Sequence, residues 1–223
     1  MRTFLNLIER LRFLFLFFVL IFFCITKALD AQYDIWRLGD VILSVLIIYS
    51  LVIIGDRARA LLRILIILAV CEAVFLSLSL LFAYPLIGVI KAFFTMLYFA
   101  LMAAVCLRYT FADKTIDVTT LFGSLSAYLF IGLAYAYLYL CIGLTDYNAF
   151  SGLSSSFYDT DLIYFSFITL TTVGYGDVVP KTPITQTLSW MESFAGQAYL
   201  TIIMAQLVGR YMTEKLRIKD TDE

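Results

Sequence analysis

The residues whose types and spacing could do chemistry are Thr171-Thr172-Val173-Gly174-Tyr175-Gly176-Asp177. An ordinary strand points successive residues to opposite sides. Glycine at every second position, Gly174 and Gly176, permits positive φ at little steric cost, so a backbone that alternates in hand turns successive C=O groups the same way. The product is a ladder of oxygen ligands. Copies of it around a symmetry axis would surround a dehydrated cation with the carbonyls of Thr172, Val173, Gly174, Tyr175 and Gly176, and the Thr172 hydroxyl would add a lowest ring. Carbonyl oxygen suits a hard monovalent cation and carries no formal charge to trap it.

Such a ladder needs a scaffold, and the composition says which kind. The chain has 223 residues, 62% of them hydrophobic and only 15% charged, far from the balance of a soluble domain and typical of a polytopic membrane protein. A net charge of -1 gives no reason to expect a nucleic acid or another polyanion as partner. There is no histidine, which removes the commonest general base, metal ligand and proton sensor near neutral pH. Cys24, Cys71, Cys106 and Cys141 each lie inside an apolar run, where small apolar packing is the better reading than a disulfide or zinc site.

The hydropathy pattern predicts an all-α membrane protein with six transmembrane helices. The first apolar run is Phe13 to Thr26; the next spans run from about Leu38 to Gly55, Leu61 to Ala83, Ile87 to Leu107 and Thr120 to Leu144, and the sixth from Pro183 to about Met212. The first run has the charged start of a signal peptide, but Lys27 and Asp30 spoil the cleavage site, and charge bookkeeping favours a retained helix. With the N-terminus cytoplasmic, twelve of the sixteen Lys and Arg residues fall on the inside and only Lys27, Arg37, Lys91 and Lys181 near the outside. Both termini are then cytoplasmic, the location is a cell membrane (plasma or bacterial inner membrane), and Gly176-Asp177 faces outward. The chain divides into an N-terminal four-helix domain, residues 1–111, and a domain holding the ladder, residues 112–223.

Between the fifth and sixth spans, Asp161 to Leu170 is a short apolar run preceded by Asp159 and Thr160, good N-cap types. At 1.5 Å per residue it reaches about 15 Å, half a hydrocarbon core, so it must be re-entrant. Non-helical backbone at membrane depth is tolerated only when buried in protein or lining a wet cavity.

Taken together, the stretch 171–177 resembles the filter signature of tetrameric potassium channels of the pore-loop superfamily at all seven positions. Relatives that discriminate poorly between sodium and potassium often depart at the tyrosine, and Tyr175 is kept. The resemblance implies passive conduction of potassium ions through a carbonyl-lined filter in a homotetramer within a lipid bilayer. It gives Thr171 and Asp177 a supporting role beside the filter. Tyr164 and Phe165 occupy pore-helix positions where relatives pack aromatics, either as a cuff with Tyr175 or as generic packing, and Tyr164 could reach Asp177. Some relatives carry a carboxylate where this chain has Ile168.

Gly196, nineteen residues beyond Asp177, stands where similar channels bend the inner helix to open; close packing of the inner helix on the pore helix is the rival, since Ala195 and Ala198 are also small. Leu200, Met204 and Val208 are spaced for one stripe that lines a cavity and inner gate, or that merely packs. Glu192, buried below the outer surface, is costly unless paired or watered, and suggests a contact behind the filter with no partner assignable.

The layout also resembles voltage-gated channels, yet the fourth span carries only Lys91 and, past its end, Arg108, whereas steep voltage dependence takes about three or four gating charges per subunit. Glu72 is either a remnant of sensor-like pairing or a residue facing Lys91 or water. Small prokaryotic potassium channels with extra N-terminal spans are the best likeness. After Met212 eleven residues follow, too few for a nucleotide- or calcium-sensing domain, which leaves room for an unidentified regulatory subunit. The rivals are the pore subunit of a potassium uptake transporter, a weakly selective cation channel, and a scaffold or enzyme with an incidental glycine loop. For an enzyme, Ser154 to Ser156 have no candidate base near them in sequence.

Overall fold

The computed structural model describes residues 2–33, 38–54, 59–81, 84–112, 118–154 and 158–221, with side chains at 2–11, 52–54, 59–60, 80, 111–112, 118–120, 207–208 and 210–221 outside the described set. The link residues Asp113, Lys114 and Asp117, the serines Ser155 and Ser156, and many basic side chains used above for orientation, Arg2, Arg10, Arg57 and Arg59 among them, therefore lie outside it.

The elements follow the apolar runs. They are α1 (Arg2–Tyr33), α2 (Leu38–Ile54), α3 (Arg59–Leu81), α4 (Pro85–Ala112), α5 (Val118–Thr145), β1 (Phe150–Ser151), α6 (Tyr158–Leu170), β2 (Val179–Pro180) and α7 (Pro183–Thr221). Among the described residues four helices are long and apolar enough to cross a membrane, over Arg12–Tyr33, Leu61–Ser79, Pro85–Thr110 and Leu121–Thr145; Leu38–Leu51 is apolar but shorter. The long helix α7 does not qualify, because Thr185, Gln186, Ser189, Glu192, Ser193, Gln197 and Thr201 interrupt its apolar surface. A helix with that composition suits a wet cavity better than lipid on all sides.

Two boundaries differ from the sequence reading. The helix expected to be re-entrant, α6, begins at Tyr158, so Asp159 and Thr160 are not its caps; Asp159 and Asp161 sit in the first turn, where negative charge complements the helix N-terminus. At 13 residues it still reaches only about 20 Å, short of a hydrocarbon core of about 30 Å. The last helix runs to Thr221, nine residues past the expected end. It starts cleanly: Thr182 accepts the Thr185 N–H through its hydroxyl at 3.3 Å, and Pro183 takes the first helical position, where its missing N–H costs nothing.

Buried residues on α1 recur at Phe13, Leu16, Leu20 and Phe23, while Phe15, Phe18, Phe22 and Ile25 point outward, which is the helical period with one face on protein. The central hub is Phe99 of α4, fully buried, with its ring 5.9 Å from Phe23 of α1 and 6.0 and 5.4 Å from Phe130 and Tyr137 of α5. This core joins α1, α2 and α4 to α5 and reaches Ile163 of α6, so packing is continuous across the division at residue 111. Lipid tails are as apolar as leucine, so association rests on van der Waals fit and on polar ties rather than on escape from water.

The polar ties gather at one end of the bundle. Asp40 at the start of α2 receives Lys27 of α1 at 3.2 Å and Lys91 of α4 at 3.1 Å, and Lys27 also lies 3.4 Å from Asp159 of the pore helix. The Asp30 carboxylate accepts the Leu38 and Gly39 N–H groups and so caps α2. Glu72 of α3 accepts the Thr95 hydroxyl of α4 at 2.9 Å. Lys91, one of the partners considered for Glu72, pairs with Asp40 at 3.1 Å and also lies close enough to Glu72 to act on it through its charge.

Candidate functional site

The stretch after α6 starts by folding back on the helix that precedes it. The Thr171 N–H bonds the Phe167 carbonyl at 3.1 Å, Thr172 N–H bonds Thr169 at 3.0 Å, and Gly174 N–H reaches Ile168 at 3.1 Å. From there φ is positive at every second residue: 60° at Thr172, 56° at Gly174 and 79° at Gly176. Val173 and Tyr175 between them are not in that region. The alternation of hand expected from the glycine spacing is thus present, and it extends one step further than the glycines do. Thr172 is β-branched, a type that rarely adopts positive φ, so its conformation is held by its surroundings.

Residues 171–177 are all exposed in the single chain, Tyr175 at 71% and Val173 at 52%. Behind them the structure is tightly tied. The Tyr164 hydroxyl donates to Asp177 Oδ2 at 2.7 Å, and Asp177 Oδ1 accepts the Val178 N–H at 3.0 Å. The Tyr164 bond, and to a lesser degree the Val178 N–H, hold the Asp177 carboxyl below its ordinary range. A two-stranded antiparallel pair, Phe150 opposite Pro180 and Ser151 opposite Val179, joins the loop before α6 to the segment after the filter. The Ala149 carbonyl reinforces it by accepting the Lys181 N–H at 2.9 Å and the Thr185 hydroxyl at 3.1 Å.

The structure splits the aromatic pair singled out in the sequence. Tyr164 turns to Asp177, whereas Phe165 is buried on the other side, 5.2 Å from Tyr139 and 5.5 Å from Phe150. Phe165 therefore takes no part in a cuff with Tyr175 within the chain; on a helix, adjacent residues point about 100° apart, and the hydrophobic pocket under α5 claims the second ring.

Three helices meet behind the stretch 171–177 at Glu192, which is fully buried. One carboxylate oxygen accepts the Ser166 hydroxyl of α6 at 2.5 Å and the other the Tyr139 hydroxyl of α5 at 2.7 Å. Ser166 also lies 2.6 Å from the Gly132 carbonyl. Neither partner of Glu192 is identifiable from sequence, since both are common core residue types on separate helices. Further along α7, the Ser193 hydroxyl donates to the Thr169 carbonyl at 3.0 Å, and Gln197 Nε2 donates to Thr172 Oγ1 at 3.2 Å. Gln197 also escapes a reading of the sequence; the available signal is an amide directly after Gly196 in α7.

Gly196 lies between these anchors. A Cβ there would overlap the Leu170 carbonyl oxygen, an atom also held by the Tyr128 hydroxyl at 3.2 Å. The close approach of α7 to the end of α6 accounts for the glycine. Gly196→Ala should therefore lower the stability of the purified protein by about 2 kcal/mol, because backbone cannot retreat as a side chain can. Chemical denaturation in detergent reads this, and an unchanged midpoint would mean that α7 is free to shift. Leu200 and Met204 share an exposed face of α7, while the Val208 side chain lies outside the described residues.

Comparison with known proteins bears on what kind of site this is. Residues 124–214 match the family model described as "Ion channel". The ion-channel match begins in α5, takes in α6 and the filter, and ends in α7, so the geometry above is the geometry of the matched region, and α1 to α4 lie outside it. The match is to a channel and not to an enzyme. The chain is also 31% identical over 101 residues to "Two-pore potassium channel 4" of Arabidopsis thaliana, covering 44% of this chain and 35% of that protein. It is 36% identical over 75 residues to "Two pore potassium channel c" of Oryza sativa subsp. japonica, covering 31% of this chain and 16% of that protein. A second rice protein, "Two pore potassium channel a", is 38% identical over 58 residues, or 26% of this chain and 16% of its own length. The chain thus spans about a third or less of each of these relatives. No solved structure matches it.

Proposed function

We propose that this chain is one subunit of a homotetrameric, potassium-selective channel that conducts passively and without steep voltage dependence. The observation that carries the reading is the alternation of positive φ at Thr172, Gly174 and Gly176, the backbone form that turns successive carbonyls toward one side. The ion-channel match across residues 124–214 and the printed names of the three plant relatives support it. A closed cage takes about four such segments and one chain supplies one, so fourfold cyclic symmetry follows from the geometry of coordination. The exposure of Val173 and Tyr175 in the single chain fits a surface that neighbouring copies would cover.

In this reading the ions are held by the carbonyls of Thr172, Val173, Gly174, Tyr175 and Gly176 and by the Thr172 hydroxyl; Thr171, Asp177 and Tyr164 support them. Leu200, Met204 and Val208 line the inner pore, and Gly196 serves packing first and bending only if its contact with Leu170 opens. The polypeptide crosses a cell membrane six times, α6 being re-entrant, with both termini cytoplasmic. Residues 1–111 have a sensor-like layout but few charges: in α4, Lys91 is already paired with Asp40.

Flux into liposomes holding the purified protein tests the reading. Potassium uptake should exceed sodium uptake by roughly a hundredfold or more, the scale of about 3 kcal/mol of discrimination. Equal fluxes would leave a weakly selective pore, and uptake that requires a sodium gradient would leave a transporter subunit.

A further inference from the structure

Gln197 is not part of the ion ladder, yet among the described residues it is the side chain of α7 that hydrogen-bonds to it. Its Nε2 stands 3.2 Å from Thr172 Oγ1, the hydroxyl at the innermost end of the ladder. Among the described residues no other hydrogen bond to the Thr172 side chain is found. Thr172 is also the ladder residue whose positive φ, 60°, is not excused by a missing Cβ. A strained β-branched residue and a polar tie from another helix therefore coincide at one point.

That tie does not depend on the free swing of a long side chain. Ser193 bonds Thr169, and Gly196 sits against the Leu170 carbonyl, so the backbone of α7 is registered against the end of α6 immediately before Gln197. Residues 193, 196 and 197 lie on one helix face, at the i, i+3 and i+4 spacing. Position 197 is thus delivered to Thr172 by the same close approach that requires glycine at 196.

We propose that Gln197 is a positioning residue for the lowest ion site: by donating to Thr172 Oγ1 it fixes where that hydroxyl points and so sets which cations the ring accepts. The inference rests on the channel reading above and adds to it the group that tunes one particular site. A hydroxyl offers one proton and two lone pairs. With an amide N–H on one lone pair, the other is left for a dehydrated cation of potassium's size. Take the donor away and the side chain is free to rotate. Put a carboxylate in its place and the Thr172 hydroxyl must donate its proton toward residue 197, which turns both lone pairs to the ion and adds a negative charge beneath the site.

Two variants give opposite expectations. Barium, a divalent ion close to potassium in size, is the probe for the lowest site when applied from the inner side. In the reconstituted full-length protein, Gln197→Leu should weaken barium block about tenfold, the scale of one hydrogen bond to an ion-binding group, and should shift the rubidium-to-potassium flux ratio. Gln197→Glu, the same size as glutamine, should tighten barium block by a similar factor. A residue that only packed would lower assembly yield in both variants and leave block unchanged. Shifts in opposite directions support the proposal; unchanged block in either conducting variant, or shifts of the same sign, overturns it. If Gln197→Leu fails to assemble, the isosteric Gln197→Glu decides alone, with tighter block in support and unaltered or weaker block against. Wild-type protein that does not favour potassium over sodium would instead defeat the channel reading, a result the same liposomes reveal before any variant is made.

Discussion

On the channel reading proposed above, Gly174→Ala should leave the chain folded and assembled while removing most of the preference for potassium. A methyl group at this position meets nothing within 4 Å in the chain, so the substitution makes no collision there; what it violates is the φ of 56°. An L-residue with a Cβ in the left-handed region costs roughly 1–2 kcal/mol. With four copies around one pore the strain totals about 4–8 kcal/mol, enough to drive the peptide into another conformation and turn the Val173 carbonyl from the ion path. Discrimination worth a few kcal/mol then falls by roughly a hundredfold or more. Gly209→Ala is the matched control. It too has open space around a would-be Cβ, but it lies inside α7 with no positive φ, so alanine should be neutral or stabilising by about 1 kcal/mol. The measurement is the potassium-to-sodium flux ratio of the two variants side by side. If Gly174→Ala kept the ratio of the parent, the alternation of backbone hand would have no part in ion choice.

Glu192→Ala carries the second large effect, this time on the assembly itself. Glu192 is fully buried where α5, α6 and α7 meet, and both of its oxygens accept hydroxyl protons, from Ser166 and from Tyr139. Alanine removes the acceptor, leaves the buried Tyr139 hydroxyl to find another partner and Ser166 with the Gly132 carbonyl alone, and opens a void. The combination should cost about 3–5 kcal/mol and lower the unfolding midpoint of the purified protein sharply. The pair with Ser166 makes the sharper test. In Ser166→Ala/Glu192→Leu one donor and the carboxylate vanish together and an apolar side chain fills the space, so the double variant should be more stable than the sum of the single losses predicts, by about 1–2 kcal/mol. Strict additivity would mean that the carboxylate draws its stability from elsewhere.

What can be read from the chain without its fold divides along a physical line. The filter is legible because a backbone requirement is written directly in residue type: glycine at 174 and 176 marks where positive φ is cheap. Helices announce themselves through long apolar runs, and the half-length of α6 through its shortness. Thr172 is not legible as a third positive-φ site, because nothing in the residue type favours that conformation in a threonine, and its ties to α6 and to Gln197 of α7 exist only in the fold. The partners of Glu192 are hidden for a related reason. Ser166 and Tyr139 are 26 and 53 positions away, and no periodic pattern within one helix encodes which residues on two others will face it. Which alternative Phe165 takes is hidden because neighbouring aromatics on a helix look alike in sequence, and the pocket of Tyr139 and Phe150 that packs it exists only once α5 and the strand pair are in place. The start of α6 slips by three residues since acidic residues serve equally as caps and as first-turn partners of the helix dipole.

Lys27 has a mechanical reading as well. Because its ammonium grips Asp159 on α6 as well as Asp40 on α2, and its own carbonyl accepts the Thr160 hydroxyl at 3.4 Å, α1 cannot tilt without dragging on the start of α6. On the channel reading proposed above, a change in the tilt of α1 would reach the start of α6 directly, through Lys27 and Asp159.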